Sequence, residues 1–129
     1  MTIRGRRDSN YLGTALSTDD PEGLARFYSE LLGWPYKVAD RTWVTMGIPG
    51  SHTYLAFALD DHYEPPVWPT EPGRPSQQLH LDVGVAELAP AVEDAVALGA
   101  READFQPQDD VRVMLDPSGH PFCLYVETD

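Results

Sequence analysis

Apolar residues recur along this chain with two periods, and each period occurs twice. From Asp20 to Gly33, the residues Leu24, Phe27, Tyr28, Leu31 and Leu32 fall at helical spacing. They form one apolar stripe on a helix. Asp20 is a good N-cap, and Pro21 suits the first helical position, where a missing N–H costs nothing. Gly33 stands where a left-handed residue ends a helix. The same spacing returns from Leu88 with Ala91, Val92, Ala95 and Val96, and Gly99 closes this second helix.

Each helix follows a run of period two. Leu12, Thr14 and Leu16 alternate with smaller residues before the first. Leu79, Leu81, Val83 and Val85 alternate with His80, Asp82 and Gly84 before the second. Such alternation predicts a strand with one face on a core and the other free. Three further strands are expected after each helix: Pro35–Ala39, Arg41–Ile48 and His52–Leu59, then Arg101–Gln106, Val111–Leu115 and Pro121–Glu127. Pro49-Gly50 and Asp116-Pro117-Ser118-Gly119 supply turns. Both halves therefore read β-α-β-β-β, a repeat of pattern with slight identity. Module one spans 11–59 and module two 77–129, together one domain, with 1–10 a flexible arm.

Residues 60–76 join the halves. Pro65-Pro66, Trp68-Pro69, Pro72-Gly73 and Pro75 exclude a helix or regular strand there. Tyr63 and Trp68 either pin this linker to the body or cover a pocket.

Composition narrows the chemistry. The chain has 129 residues, 42% apolar, with 9 basic and 21 acidic residues and a net charge of −12. That balance opposes nucleic acid and anionic lipid as partners. It suits a neutral or cationic small molecule. The single cysteine, Cys123, excludes an internal disulfide and fits a reducing, cytoplasmic setting. Arg4, Arg6 and Arg7 precede no apolar run, so no secretory signal is expected. No apolar stretch approaches membrane-spanning length.

Three segments carry a resemblance. Asp20 to Trp34, Leu79 to Val83 (Leu-His-Leu-Asp-Val) and Asp116 to Leu124 (Asp-Pro-Ser-Gly-His-Pro-Phe-Cys-Leu) occur in order and spacing. Together they resemble the vicinal oxygen chelate superfamily of glyoxalase I, bleomycin-resistance proteins and extradiol dioxygenases. The resemblance implies an α+β fold in which two β-α-β-β-β modules form a curled mixed-sheet cup, with helices outside and a site inside. It also implies pairing into a homodimer.

Metal-using members hold one divalent ion with His, Glu, His and Glu from four strands. Carried onto this chain, the first histidine falls on Gly13. The first glutamate falls on Ala56 or Phe57, according to register. The second histidine is His80, and the second glutamate falls on Cys123. Two donors are gone, so no family-type metal and no other cofactor is expected. A zinc site of His80, Asp82 and Cys123 can be drawn, but same-strand neighbours rarely converge as well as ligands from different strands.

Alternation sorts the cup residues. His80, Asp82, Cys123 and Tyr125 should face inward, and Leu79, Leu81, Phe122 and Leu124 should face the helices. The expected ligand-binding set is Tyr11, Trp43, Phe57, Trp68, His80, Asp82, Met114, Cys123 and Tyr125, with the register of the third and seventh strands unpinned. Aromatic walls would hold a small, partly aromatic molecule, and His80 and Asp82 would orient its polar atoms. His80 with Asp82 could also act as an acid–base pair. The other histidines, His52, His62 and His120, are expected at the surface. Three functions remain open: a metal-free binder of a small molecule, a metal-dependent lyase or dioxygenase, and a metal-free enzyme with His80 as general base.

Overall fold

The computed structural model describes residues 3–6 and 11–128; most of the expected arm, 1–10, lies outside them. The elements follow the order β1 (Leu12–Thr18), α1 (Pro21–Leu32), β2 (Lys37–Asp40), β3 (Trp43–Gly47), β4 (Thr53–Leu59), β5 (Leu81–Val85), α2 (Leu88–Leu98), β6 (Arg101–Glu102), β7 (Val111–Leu115) and β8 (Pro121–Val126). They form two four-stranded mixed sheets, ordered β1-β4-β3-β2 and β5-β8-β7-β6, and among the described residues these do not close into a barrel. In each sheet the strand before the helix pairs in parallel with the last strand, and the other pairings are antiparallel. The two halves thus share one topology.

Helix α1 begins as its sequence requires. The Asp20 carboxylate accepts from Gly23 N at 3.1 Å, and Gly33 ends the helix at φ 77° with its N–H on Ser29 O. Its apolar stripe inserts between the sheets. The Tyr28 ring lies 5.9 Å from Phe57 on β4 and 5.9 Å from Phe122 on β8, and Phe27 lies 5.8 Å from Phe122. One core therefore spans both modules, closed by Leu24, Met46, Met114 and Leu124. Helix α2 is a lighter element, whose only fully buried residue is Ala95.

A polar clasp joins the halves. Asp116, buried in the turn before β8, accepts from the Tyr28 hydroxyl at 2.6 Å and from the N–H groups of Ser118 and His120. Burial holds its carboxyl above the usual carboxylate range and the Tyr28 phenol well above its ordinary value. Thr18 Oγ1 and Ser118 Oγ share a hydrogen bond of 2.7 Å, and His120 Nε2 lies 2.6 Å from Ser17 O.

The linker is pinned by its aromatics. The Tyr63 hydroxyl donates to Ser118 O at 2.7 Å, and Trp68 Nε1 donates to Phe105 O at 3.2 Å with the rings 6.1 Å apart. Among the described residues, no helix is long and apolar enough to cross a membrane.

Two strand expectations need correction. β5 starts at Leu81, so Leu79 and His80 precede it, and Leu79 stays partly exposed instead of facing the helices. β6 stops at Glu102, where Arg101–Gln106 was expected. Beyond it the Gln106 side chain takes over the pairing: Nε2 donates to Ala103 O and Val113 O, and Oε1 accepts from Val113 N.

Candidate functional site

The parallel pairing of β5 and β8 builds the site. It sets Asp82 across from Cys123 and Gly84 across from Tyr125. Side chains alternate across a strand, so Phe122 and Leu124 go to the core and Cys123 and Tyr125 to the opposite face. There they line an open cleft of about 520 Å³ with His80, Asp82, Gln108 and Asp110.

At its floor, His80 Nε2 lies 3.2 Å from Asp82 Oδ1, with both side chains about half exposed. Ligand atoms of His80, Asp82 and Cys123 all lie within 4.8 Å of one another. His80 lies just ahead of the β5 ladder, so it is not a same-strand neighbour of Asp82, and its ring approaches the Asp82 carboxylate. Burial pushes the Cys123 thiol up, and the Asp82 carboxylate, by its charge and as acceptor of the S–H, pushes it further. Without a cation beside it, such a thiol is held protonated, the opposite of what a nucleophilic cysteine needs.

The remaining expected ligand-binding residues lie elsewhere. Phe57 and Met114 have no exposed surface; they are core residues on the helix side of β4 and β7. Apolar residues flank each other on both strands (Ala56-Phe57, Val113-Met114), so alternation could not say which faced out. Trp43 lies on the face of β3 opposite α1, pairing with Ala58, and does not line this cleft. Tyr11 stacks on His52 with centroids 4.5 Å apart, and Trp68 packs on Phe105. The cleft therefore has polar, acidic walls with one aromatic ring, Tyr125, and lacks the aromatic walls expected.

His120 is no simple surface residue. It lines a second cavity of about 280 Å³ with Ser17, Asp60, Tyr63, Gln77 and Gln78. Its place in the Asp-Pro-Ser-Gly-His turn, whose first residue it helps to satisfy, was the available signal.

Residues 13–125 match a glyoxalase-like domain. The chain belongs to that family. Its solved relatives share the fold at low identity. A glyoxalase/bleomycin resistance protein/dioxygenase family enzyme from Burkholderia phytofirmans PsJN matches at TM-score 0.64 and 14% identity, over 87% of this chain and 94% of that one. A glyoxalase-related enzyme from Fulvimarina pelagi matches at 0.64 and 22%, over 89% and 86%. The fosfomycin resistance protein FosX from Mesorhizobium loti matches at 0.62 and 16%, over 98% and 95%. No curated protein matches in sequence. These likenesses place the chain in the vicinal oxygen chelate superfamily.

The register tests the glyoxalase-like metal centre. Ala15 pairs with Ala56 as Asp82 pairs with Cys123. Gly13, Ala15 and Ala56 precede His80, Asp82 and Cys123 by one constant offset, so the family glutamate position is Ala56 and not Phe57. None of these three carries a donor. The Tyr54 ring also lies over Gly13, where a Cβ would overlap it. The four-ligand ion of the family does not fit this chain.

Proposed function

We propose that this glyoxalase-like protein binds a small, partly aromatic molecule in the cleft of module two, without the four-ligand ion of its metal-using relatives. The observation that carries this reading is the convergence of His80, Asp82, Cys123 and Tyr125 on one open cleft. Tyr125 offers a ring for stacking, and His80 offers a turnable donor or acceptor. Asp82 and Asp110 favour a ligand with hydrogen-bond donors or positive charge, in keeping with the net charge of −12. The reading includes a reducing, cytoplasmic setting and pairing of two copies, in line with the lone thiol and the family.

A thermal-shift screen of cationic aromatic antibiotics and metabolites tests it. A binder at about 100 times its Kd adds roughly 2.7 kcal/mol to the native state, which raises Tm. That rise should shrink in Tyr125→Ala and in Asp82→Asn. A panel with no hit, or a hit equally strong in both variants, overturns the reading.

The 3.2 Å approach of His80 to Asp82 favours a second reading, a metal-free enzyme in which His80 is the general base. His80→Ala separates the two: a binder keeps most of its affinity, whereas an enzyme keeps its substrate and loses turnover.

A further inference from the structure

The two-module centre is absent, yet the donors of module two close on one another unaided. We infer that His80, Asp82 and Cys123 form a site for a thiophilic divalent cation of the zinc type, contained within one module. The inference concerns the cleft discussed above and rests on the small-molecule reading only for the use made of the ion.

Geometry carries it. An imidazole nitrogen, a carboxylate oxygen and a thiol sulfur lie within 4.8 Å of one another. Zinc bonds of about 2.0–2.3 Å set neighbouring ligands roughly 3.5 Å apart, so donors within 4.8 Å need to draw in by about 1.3 Å at most. The residues that must move can do so. His80 precedes the first ladder residue of β5, and Asp82 is more than half exposed. Cys123, the least mobile, is fixed in the centre of its sheet by pairing with both Asp82 and Val113. The fourth position opens to the cleft, where Asp110 and Tyr125 form part of the wall. Three protein ligands with one open position are the arrangement of a reactive zinc rather than a closed structural one.

The donor set also chooses the ion. Sulfur and imidazole favour zinc or cobalt over magnesium, which wants a shell of oxygens. The acidic cleft concentrates cations of any kind, so selectivity must come from Cys123 and His80. Asp82 is not one of the four positions that the resemblance supplies, and module one has Ala15 in its place. The site is therefore a local substitute for the shared centre, with a different ligand set.

Tag-free protein, stripped with a chelator, is titrated with cobalt(II) and followed by absorption. The expected result is one cobalt per chain, with a near-ultraviolet thiolate-to-cobalt charge-transfer band. Zinc should bleach this band and excess magnesium should leave it unchanged. Cys123→Ser should abolish it. His80→Ala should weaken zinc binding by more than the ~10–100-fold lost when a group merely supporting a ligand is removed. Both changes are mild or exposed, and an unchanged Tm of the ion-free variants verifies their folding. Absence of the band, its survival in Cys123→Ser, or unchanged zinc affinity in His80→Ala overturns the inference. Compound binding without a cobalt band removes the ion and leaves the small-molecule reading. A cobalt band without compound binding does the reverse.

Discussion

Modules one and two have the same strand order and register, but they divide the work. Module one contributes the heavier helix: α1 buries Leu24, Ala25, Phe27 and Tyr28, whereas α2 buries only Ala95. Module two contributes the polar donors. Where it has His80, Asp82 and Cys123, module one has Gly13, Ala15 and Ala56, with the Tyr54 ring laid across the glycine. A duplicated fold offers two equivalent places for chemistry. One copy can give up its place and turn the vacated face over to packing, provided that the other keeps a self-sufficient set.

The comparison can be broken most forcefully at the core. Phe57 on β4 and Phe122 on β8 both contact Tyr28. If α1 supports both sheets, Phe57→Ala and Phe122→Ala should each cost about 3–5 kcal/mol in urea unfolding. Each should also unfold the whole chain in one transition. Separate transitions for the two halves would show that the core is not shared.

A smaller effect is expected at the vacated face. Gly13→Ala places a methyl group against the Tyr54 ring and should cost about 1–3 kcal/mol by overpacking. Tyr54→Ala in the same chain should recover most of that loss, giving a coupling of about 1 kcal/mol or more in a double-mutant cycle. Additive costs would mean that the ring does not fill the place of a lost ligand.

The mildest test is one of pH. Burial raises Asp116 in the folded state, so near the ordinary carboxylate pKa the native protein holds a proton that the unfolded chain has lost. The resulting stabilisation is fully present below that ordinary value, about 4, and is lost as pH rises through the folded-state value. Urea midpoints should therefore drift downward with rising pH over this window, and Asp116→Asn should flatten the drift. An equal slope in wild type and Asp116→Asn would assign it to other carboxylates.

Much of this was legible in the sequence, and what was not has identifiable causes. Asp20, Pro21 and Gly33 bound α1 by local chemistry that needs no partner. Residues Val111–Leu115 form β7 as expected, because a turn fixes the strand's far end. β6 could not be delimited, since the Gln106 side chain imitates a strand's hydrogen bonds and leaves no trace in hydropathy. Within the site, the expected alternation of Leu79 to Val85 and of Pro121 to Glu127 grouped His80, Asp82, Cys123 and Tyr125, although the β5 ladder begins only at Leu81. It failed for Phe57 and Met114, where both faces of the strand are apolar. Trp43, Tyr11 and Trp68 show another limit: an aromatic residue carries no mark of the surface it will cover.

The Asp116 clasp has a consequence for the cleft, although no atom of it lines the walls. The carboxylate ties a hairpin of module two to a helix of module one, and the strand leaving that hairpin carries Cys123 and Tyr125. Sliding one half against the other would strip a buried acid of its partners before it reshaped the floor. Module one, without donors at the three matching positions, thus acts as the brace that holds β8 steady. Changes far from the cleft, on the inner face of α1, should alter the shape of the cleft.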